Sequence, residues 1–270
     1  MLKYLFLFLY LLAYLYGGSQ SLQTVPVPAA ARVGAYGSQP SNALHLAVNQ
    51  AALGAIKTTS VALYSEKRFL SQELALHHLA LAQPAGAGAF GLQAVFAGNV
   101  DYSTSKVSLG YGMPLSAKVA AGLQFDYVAH RIRGFGHAAQ VAVEGGVVLH
   151  ISNAFHAGLQ VCHPAGIALK GVAKLPAVYT AGMEYHPADA VTLTAELIKT
   201  EMVPLAVQPG IEYRFASKLW AKLGMNSRTA AFFVAAGYGL KLFRLEVIGE
   251  VHPQLGLTPG LLFLYNGMGK

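Results

Sequence analysis

The chain has 270 residues, enough for one large domain or two small ones, and only 11% of them are charged, against about 25% in an ordinary soluble domain. Its mean hydropathy is +0.43, yet beyond residue 16 no uncharged apolar run approaches the ~20 residues of a spanning helix; in lipid this leaves a closed β-barrel as the way to satisfy the backbone. The formal charge of +7 is scattered singly through strand-like runs, with no basic block, which excludes a nucleic-acid surface.

The chain opens on Lys3, the apolar run Tyr4–Tyr16 and the small residues Gly17-Gly18-Ser19-Gln20-Ser21. A short basic region, an apolar stretch of this length and a small-residue site predict a cleaved signal peptide over 1–21; a membrane anchor helix is the alternative, but the run is shorter than a usual span. No Cys lies near the cleavage site, so a lipoprotein is not expected. The expected location is the bacterial outer membrane. Losing Lys3 leaves 18 basic and 12 acidic residues, a charge of +6.

Residues 22–57 are rich in Ala, Pro and Gly and carry no strand period, with a short helix expected near Leu44–Leu53. They predict a plug or periplasmic segment tucked into the barrel or its mouth. The barrel itself is expected over 58–270.

From there the chain repeats a strand-like run of about ten residues and a turn signal. Strands are predicted at 58–66, 72–82, 87–97, 101–112, 117–131, 136–150, 154–163, 176–186, 189–199, 204–215, 218–226, 229–240, 242–252 and 256–266. The count is fourteen. Twelve is the alternative, because His77-His78 breaks the alternation of 72–82 and suggests a bulge, and because 136–150 can be divided.

In Lys118–His130, Val119, Ala121, Leu123, Phe125 and Tyr127 form one face and Lys118, Gln124, Asp126 and His130 the other. The same period of two sets Thr192, Thr194 and Glu196 against Leu193 and Leu197. It also sets Glu212 and Arg214 against Tyr213 and Phe215, and Lys222 against Leu223. In FRLEVIGEV, Arg244, Glu246 and Glu250 oppose Leu245, Val247 and Val251. With Lys106, these charged positions are the candidate lumen residues, since a Lys or Arg at the lipid midplane costs about 2–4 kcal/mol. Their mixed signs favour a closed, ion-paired interior over a charged channel. Aromatics near strand ends, such as Tyr111, Tyr185, Tyr213, Tyr238 and Tyr265, suit headgroup girdles, although β-propensity alone also enriches them.

Ten histidines raise a metal hypothesis that spacing does not support. His77 and His78 point to opposite faces of a strand; His130 and His137 flank a turn without a Cys or acidic partner at zinc-like spacing. Cys162 and His163, as neighbours on a strand, diverge and lack an orienting third group. Gly86–Gly91 has no lysine and no following helix, so it is not a phosphate loop. Inward glycines are expected to leave room for a plug. No catalytic residue, cofactor or metal ligand is expected, and the chain is not read as an enzyme.

Two segments carry a resemblance. Asn49-Gln50-Ala51-Ala52-Leu53 is similar to the Asn-Pro-Ala-x-Leu motif that precedes strand one in FadL-like outer-membrane barrels of the PorV/PorQ branch; Asn49, Ala51 and Leu53 match it, and Gln50 stands in place of the proline. RLEVIGEVHPQLGLTPGLLFLY resembles that branch's closing hairpin, with His252, Pro253 and Gly256 in its turn. The resemblance implies a fourteen-stranded barrel that acts through protein contacts as an accessory of type IX-like secretion, its partners a translocon or secreted cargo. It implies two alternatives: FadL-like passage of a hydrophobic ligand through an apolar pocket with a lateral opening, or a structural barrel within a larger complex. Short connections and an ion-paired lumen favour the first. Outer-membrane lipid is a partner in each case.

Overall fold

The computed structural model describes residues 27–37, 42–164, 167–168 and 175–267. The expected signal peptide at 1–21 lies outside the described residues. Fourteen long strands follow one another: β1 (Ser60–Lys67), β2 (Ala75–Ala85), β3 (Gly88–Gly98), β4 (Tyr102–Pro114), β5 (Val119–Ile132), β6 (Gly136–His150), β7 (Phe155–Cys162), β8 (Val178–Ala188), β9 (Val191–Thr200), β10 (Ala206–Ala216), β11 (Leu219–Asn226), β12 (Ala231–Leu240), β13 (Phe243–His252) and β14 (Gly256–Asn266).

Each pairs antiparallel with the next, and β1 closes the ring on β14, with Ser60 opposite Asn266 and Glu66 opposite Gly260. Closure gives each of the fourteen strands a partner on both sides, which is what a sheet in lipid requires. The count is fourteen, and the alternative of twelve falls away. β2 runs without a register shift through His77 and His78, which face Phe96 and Val95 on β3, so the bulge expected there is absent. β6 is one strand of 15 residues.

Alternation sorts the residues as the period of two demands. Leu123, Phe125, Leu223 and Val247 stay more than half exposed on the outer wall. An apolar surface of this extent is stable only against lipid. Connections at one end, the turn end, are two to four residues long; at the other, the loop end, they reach from Cys162 to Val178. Around the turn end, outward rings pack across strands: Phe90 on Tyr111 at 4.8 Å, Phe243 on Tyr265 at 5.4 Å and on Phe263 at 5.5 Å. Amphipathic rings in this position suit the headgroup layer.

The wall departs from regularity at β6. Its last ladder partner on β7 is Cys162, opposite Glu144. Over Gly136–Val143, β6 pairs on that side, among the described residues, only with Ile167 and Ala168.

The lumen is filled by the N-terminal segment. A helical turn α1 (Ala29–Arg32) and two 3-10 turns, Ala43–Ala47 and Gln50–Ala55, lie inside the ring. The side chains of Asn42 and Asn49 accept the backbone N–H groups of Leu44 and Ala51, which starts each turn with a cap. Two wall glycines make the fit possible. A Cβ on Gly122 would collide with the Gln50 carbonyl, and one on Gly182 with the Tyr36 ring. Opposite, the wall is apolar on the inside as well. Tyr64, Leu76, Phe233, Ile248, Leu262 and Leu264 bury against Leu44, Leu46 and Leu53 of the plug. The barrel interior is therefore half polar and half oily, which explains why β14 reads as nearly continuous apolar sequence.

Candidate functional site: the plugged lumen

The polar half of the lumen holds three charged clusters, each tied to the plug. In the first, Lys106 Nζ on β4 lies 2.7 Å from Glu144 Oε1 on β6 and 3.1 Å from Asp126 Oδ2 on β5. Gln124 Nε2 donates to Asp126 Oδ1 at 2.7 Å and Glu144 Oε2 at 3.2 Å, and Gln93 Nε2 donates to Gln124 Oε1. The plug enters through Gln50, whose Nε2 donates to Glu144 Oε2 at 2.7 Å. Asn49 Nδ2 adds bonds to the carbonyls of Val147 and Leu159.

In the second, Lys222 Nζ on β11 lies 3.0 Å from Glu246 Oε1 and 3.8 Å from Glu212 Oε2, and donates to the Ala30 carbonyl of the plug. Arg214 pairs with Glu212 at 2.9 Å; Trp220 Nε1 donates to Glu246 at 2.8 Å, and Arg244 lies over the indole, 5.5 Å from its centroid. In the third, Arg32 of the plug pairs with Glu196 on β9 at 3.2 Å, the Tyr36 hydroxyl donates to the same carboxylate, and the Tyr36 N–H donates to Glu184 on β8. Burial, then the charges of Lys222 and Arg244, push the plug's His45 imidazole down to about 3. It is neutral at ordinary pH and sits 2.9 Å from Asn42 Nδ2.

Of the candidate lumen residues, Lys106, Gln124, Asp126, Glu196, Glu212, Arg214, Lys222, Arg244 and Glu246 all lie in these clusters. Glu250 points inward near the loop end, beside Glu66 and Arg68; there Arg68 Nε and the Tyr64 hydroxyl bond Glu66 at 2.7 and 2.6 Å. Lys118 is different. It lies in the exposed turn before β5, because the strand begins one residue after it. Asn49, Ala51 and Leu53 are buried in the plug. His252 ends β13 and its Nδ1 accepts from the N–H groups of Gln254 and Leu255. Pro253 and Gly256, the latter at φ +90°, shape that loop-end turn; these three make no part of the lumen clusters.

Glu144, Glu184, Arg32 and Tyr36 were not singled out from sequence. Glu144 obeys the same alternation as Asp126, with Val143 and Val147 facing out, so the period of two identifies it. Arg32 and Tyr36 sit in a segment with no period and had no such signal. His130 and His137 do not meet: His130 is buried inward, whereas His137 is exposed opposite Arg131. Cys162 and His163, expected to diverge, line one cavity together. His163 lies past the strand end at φ +56°, a left-handed residue that turns its ring inward. Asp126, Glu144 and His163 each offer a ligand atom within 4.8 Å of the others. The Lys106 ammonium already serves both carboxylates, so the cation of this cluster is a lysine.

The cavities differ in size. About 80 Å³ is open beside Lys106, Glu144 and Cys162, and about 40 Å³ beside Lys222 and Glu212. At the turn end, a cavity of about 450 Å³ lies between the plug (Ala35, Ala51, Ala52, Ala55) and the wall (Pro114, Ala120, Val148), with Lys57 and His150 at its margin.

No family model and no curated protein sequence matches the chain. Solved structures do. A monoaromatic hydrocarbon channel, CymD, superposes with a TM-score of 0.68 at 10% identity, over 92% of this chain and 99% of that one. The Ralstonia pickettii toluene transporter TbuX gives 0.64 at 11%, over 90% and 98%. A Pseudomonas aeruginosa FadL homologue gives 0.59 at 12%, over 90% and 98%. At such identities the likeness is one of architecture: the chain has the fold of the FadL-like outer-membrane channels.

Proposed function

We propose that this chain is a bacterial outer-membrane barrel, exported by the signal at 1–21, that passes hydrophobic small molecules. The observation that carries the reading is the cavity of about 450 Å³ at the turn end. Its volume falls in the range of small-molecule pockets, about 300–1,000 Å³, and its lining is mainly Ala, Gly, Pro and Val, with Tyr36, Lys57, Thr58, Ser116, His150 and Asn266 as the polar groups, the mixture such pockets present. The shared fold with hydrocarbon channels supports the same reading. The interior is filled and ion-paired, which does not suit an aqueous pore. The role as a secretion accessory rests on the two motif segments and now ranks second.

The test is uptake of labelled toluene by bacterial cells producing the chain, against cells with an empty vector. Uptake is expected to rise several-fold and to fall back when Ala120→Trp fills the cavity without disturbing assembly, read by the gel shift between folded and heat-unfolded barrel. Uptake equal to the empty vector overturns the proposal. Recovery of a large translocon barrel by pull-down from detergent-solubilised membranes, with no uptake, moves the secretion role to first place.

A further inference from the structure

Three histidines on neighbouring strands meet at the turn end. The register puts His150, last residue of β6, directly opposite His156 on β7, and His156 directly opposite Glu184 on β8. His186 stands two residues further along β8, on the same face as Glu184. Cross-strand neighbours hold their Cβ atoms about 4.5–5.5 Å apart, a spacing from which imidazoles can converge. The ring centroids lie 5.0 Å apart for His150 and His156, and 5.6 Å for His156 and His186.

Hydrogen bonding leaves ligand nitrogens over. His150 Nδ1 and His156 Nδ1 share a single bond of 3.0 Å. His156 is 1% exposed, and its Nε2 has no partner among the described residues. An unsatisfied buried polar atom costs about 1–3 kcal/mol, and such a group in a native site calls for an explanation. His186 Nε2 lies 2.8 Å from Glu184 Oε1, though off the ideal hydrogen-bond direction. A carboxylate in this position fixes the tautomer of a ligating histidine and leaves its other nitrogen for the ion. That nitrogen, His186 Nδ1, has the Thr192 hydroxyl at 3.2 Å.

We propose that His150, His156 and His186 form a site for a divalent transition-metal ion, with Glu184 as the carboxylate that orients His186. Neutral imidazoles suit Zn²⁺, Cu²⁺ and Ni²⁺, not the oxygen-seeking Mg²⁺ or Ca²⁺. In the present rotamers the three rings do not aim at one point. Loading turns His150 and His156 about their ring torsions, breaks their mutual bond and displaces the Thr192 hydroxyl from His186 Nδ1. The charge balance differs from that of Asp126 and Glu144, where Lys106 is the resident cation: among the described residues no Lys or Arg pairs with Glu184, which has His186 and the Tyr36 N–H beside it. Because Tyr36 belongs to the plug, an ion here joins β6, β7 and β8 to it. His150 also lines the 450 Å³ cavity, so the ion's remaining position faces that space.

The test uses the full chain without an affinity tag, folded in detergent and titrated with Co²⁺ and Cu²⁺. The expected result is one tightly held ion per chain, with Co²⁺ ligand-field bands and a Cu²⁺ resonance spectrum split by several nitrogen donors. His156→Asn and His186→Asn each lower affinity at least about tenfold, and Glu184→Gln by about tenfold, the usual effect of removing an orienting carboxylate. The exposed His77→Ala and His137→Ala leave it unchanged. Absence of any ion above the detergent blank, or fewer than two nitrogen donors in the wild-type Cu²⁺ spectrum, overturns the proposal. So does affinity that survives in the folded His156→Asn/His186→Asn double variant, or that is lost instead in Asp126→Asn.

Discussion

Lys106 shows what one residue does inside this barrel. It is the cation for two carboxylates on two further strands, Asp126 and Glu144, and all three side chains are largely removed from water. A buried pair is weak evidence of net stabilisation, but breaking one by removing a partner costs about 3–5 kcal/mol, because a charge is left uncompensated. Lys106→Ala should therefore lower the denaturant midpoint of the folded barrel markedly, while Lys118→Ala, in an exposed turn, should not move it. Equal midpoints for the two variants would remove Lys106 from any structural role. The outer face obeys the opposite rule. Leu123 is 58% exposed to what must be lipid, so Leu123→Arg should cost about 2–4 kcal/mol and impair assembly in the folded-versus-heated gel assay. Gln124 is not a tolerant inward control, because its amide bonds Asp126, Glu144 and Gln93.

At the level of elements, the strands were legible, whereas the contacts of the N-terminal segment were not. Lys118–His130 and Val191–Thr200 alternate because one face meets lipid and the other polar groups, and that contrast is written into every second residue. β14 hid its inward face because the wall there is apolar on both sides, with Leu262 and Leu264 meeting the plug. The charged network was half visible: alternation names Asp126 and Glu196, while Arg32 and Tyr36, which bond Glu196, and Gln50, which bonds Glu144, come from a segment with no period. The meeting of His150, His156 and His186 depends on register between strands, which no single run reveals. Gln50 makes the point testable. Proline stands at this place in the motif it resembles, and proline is compatible with the first position of a helical turn. Gln50→Pro should thus keep the turn Gln50–Ala55 yet lose the bond to Glu144. The expected outcome is a folded barrel whose plug is cut faster in limited proteolysis. Unchanged cleavage would mean that the other ties of the plug, Asn49 to Val147 and Leu159 among them, hold it without Gln50.

For the whole molecule the proposed passage of a hydrophobic molecule raises the question of its route. The inner cavities of about 80 and 40 Å³ are smaller than the roughly 150 Å³ that holds one benzene molecule; the turn-end space, at about 450 Å³, is larger. A hydrophobic molecule entering from the loop end therefore cannot reach that space unless the plug shifts. Ala51 of the plug and Val148 of β6 bury in the same apolar cluster, so an Ala51→Cys/Val148→Cys pair, made in a Cys162→Ala background, offers a tether. If the route runs past the plug, oxidation should abolish toluene uptake and a reductant should restore it, with the gel shift unchanged throughout. Uptake that persists in the oxidised barrel would mean that the molecule leaves through the wall before it meets the plug. The charges of the first cluster would then serve assembly alone, since nothing would need to move past Gln50 and Glu144.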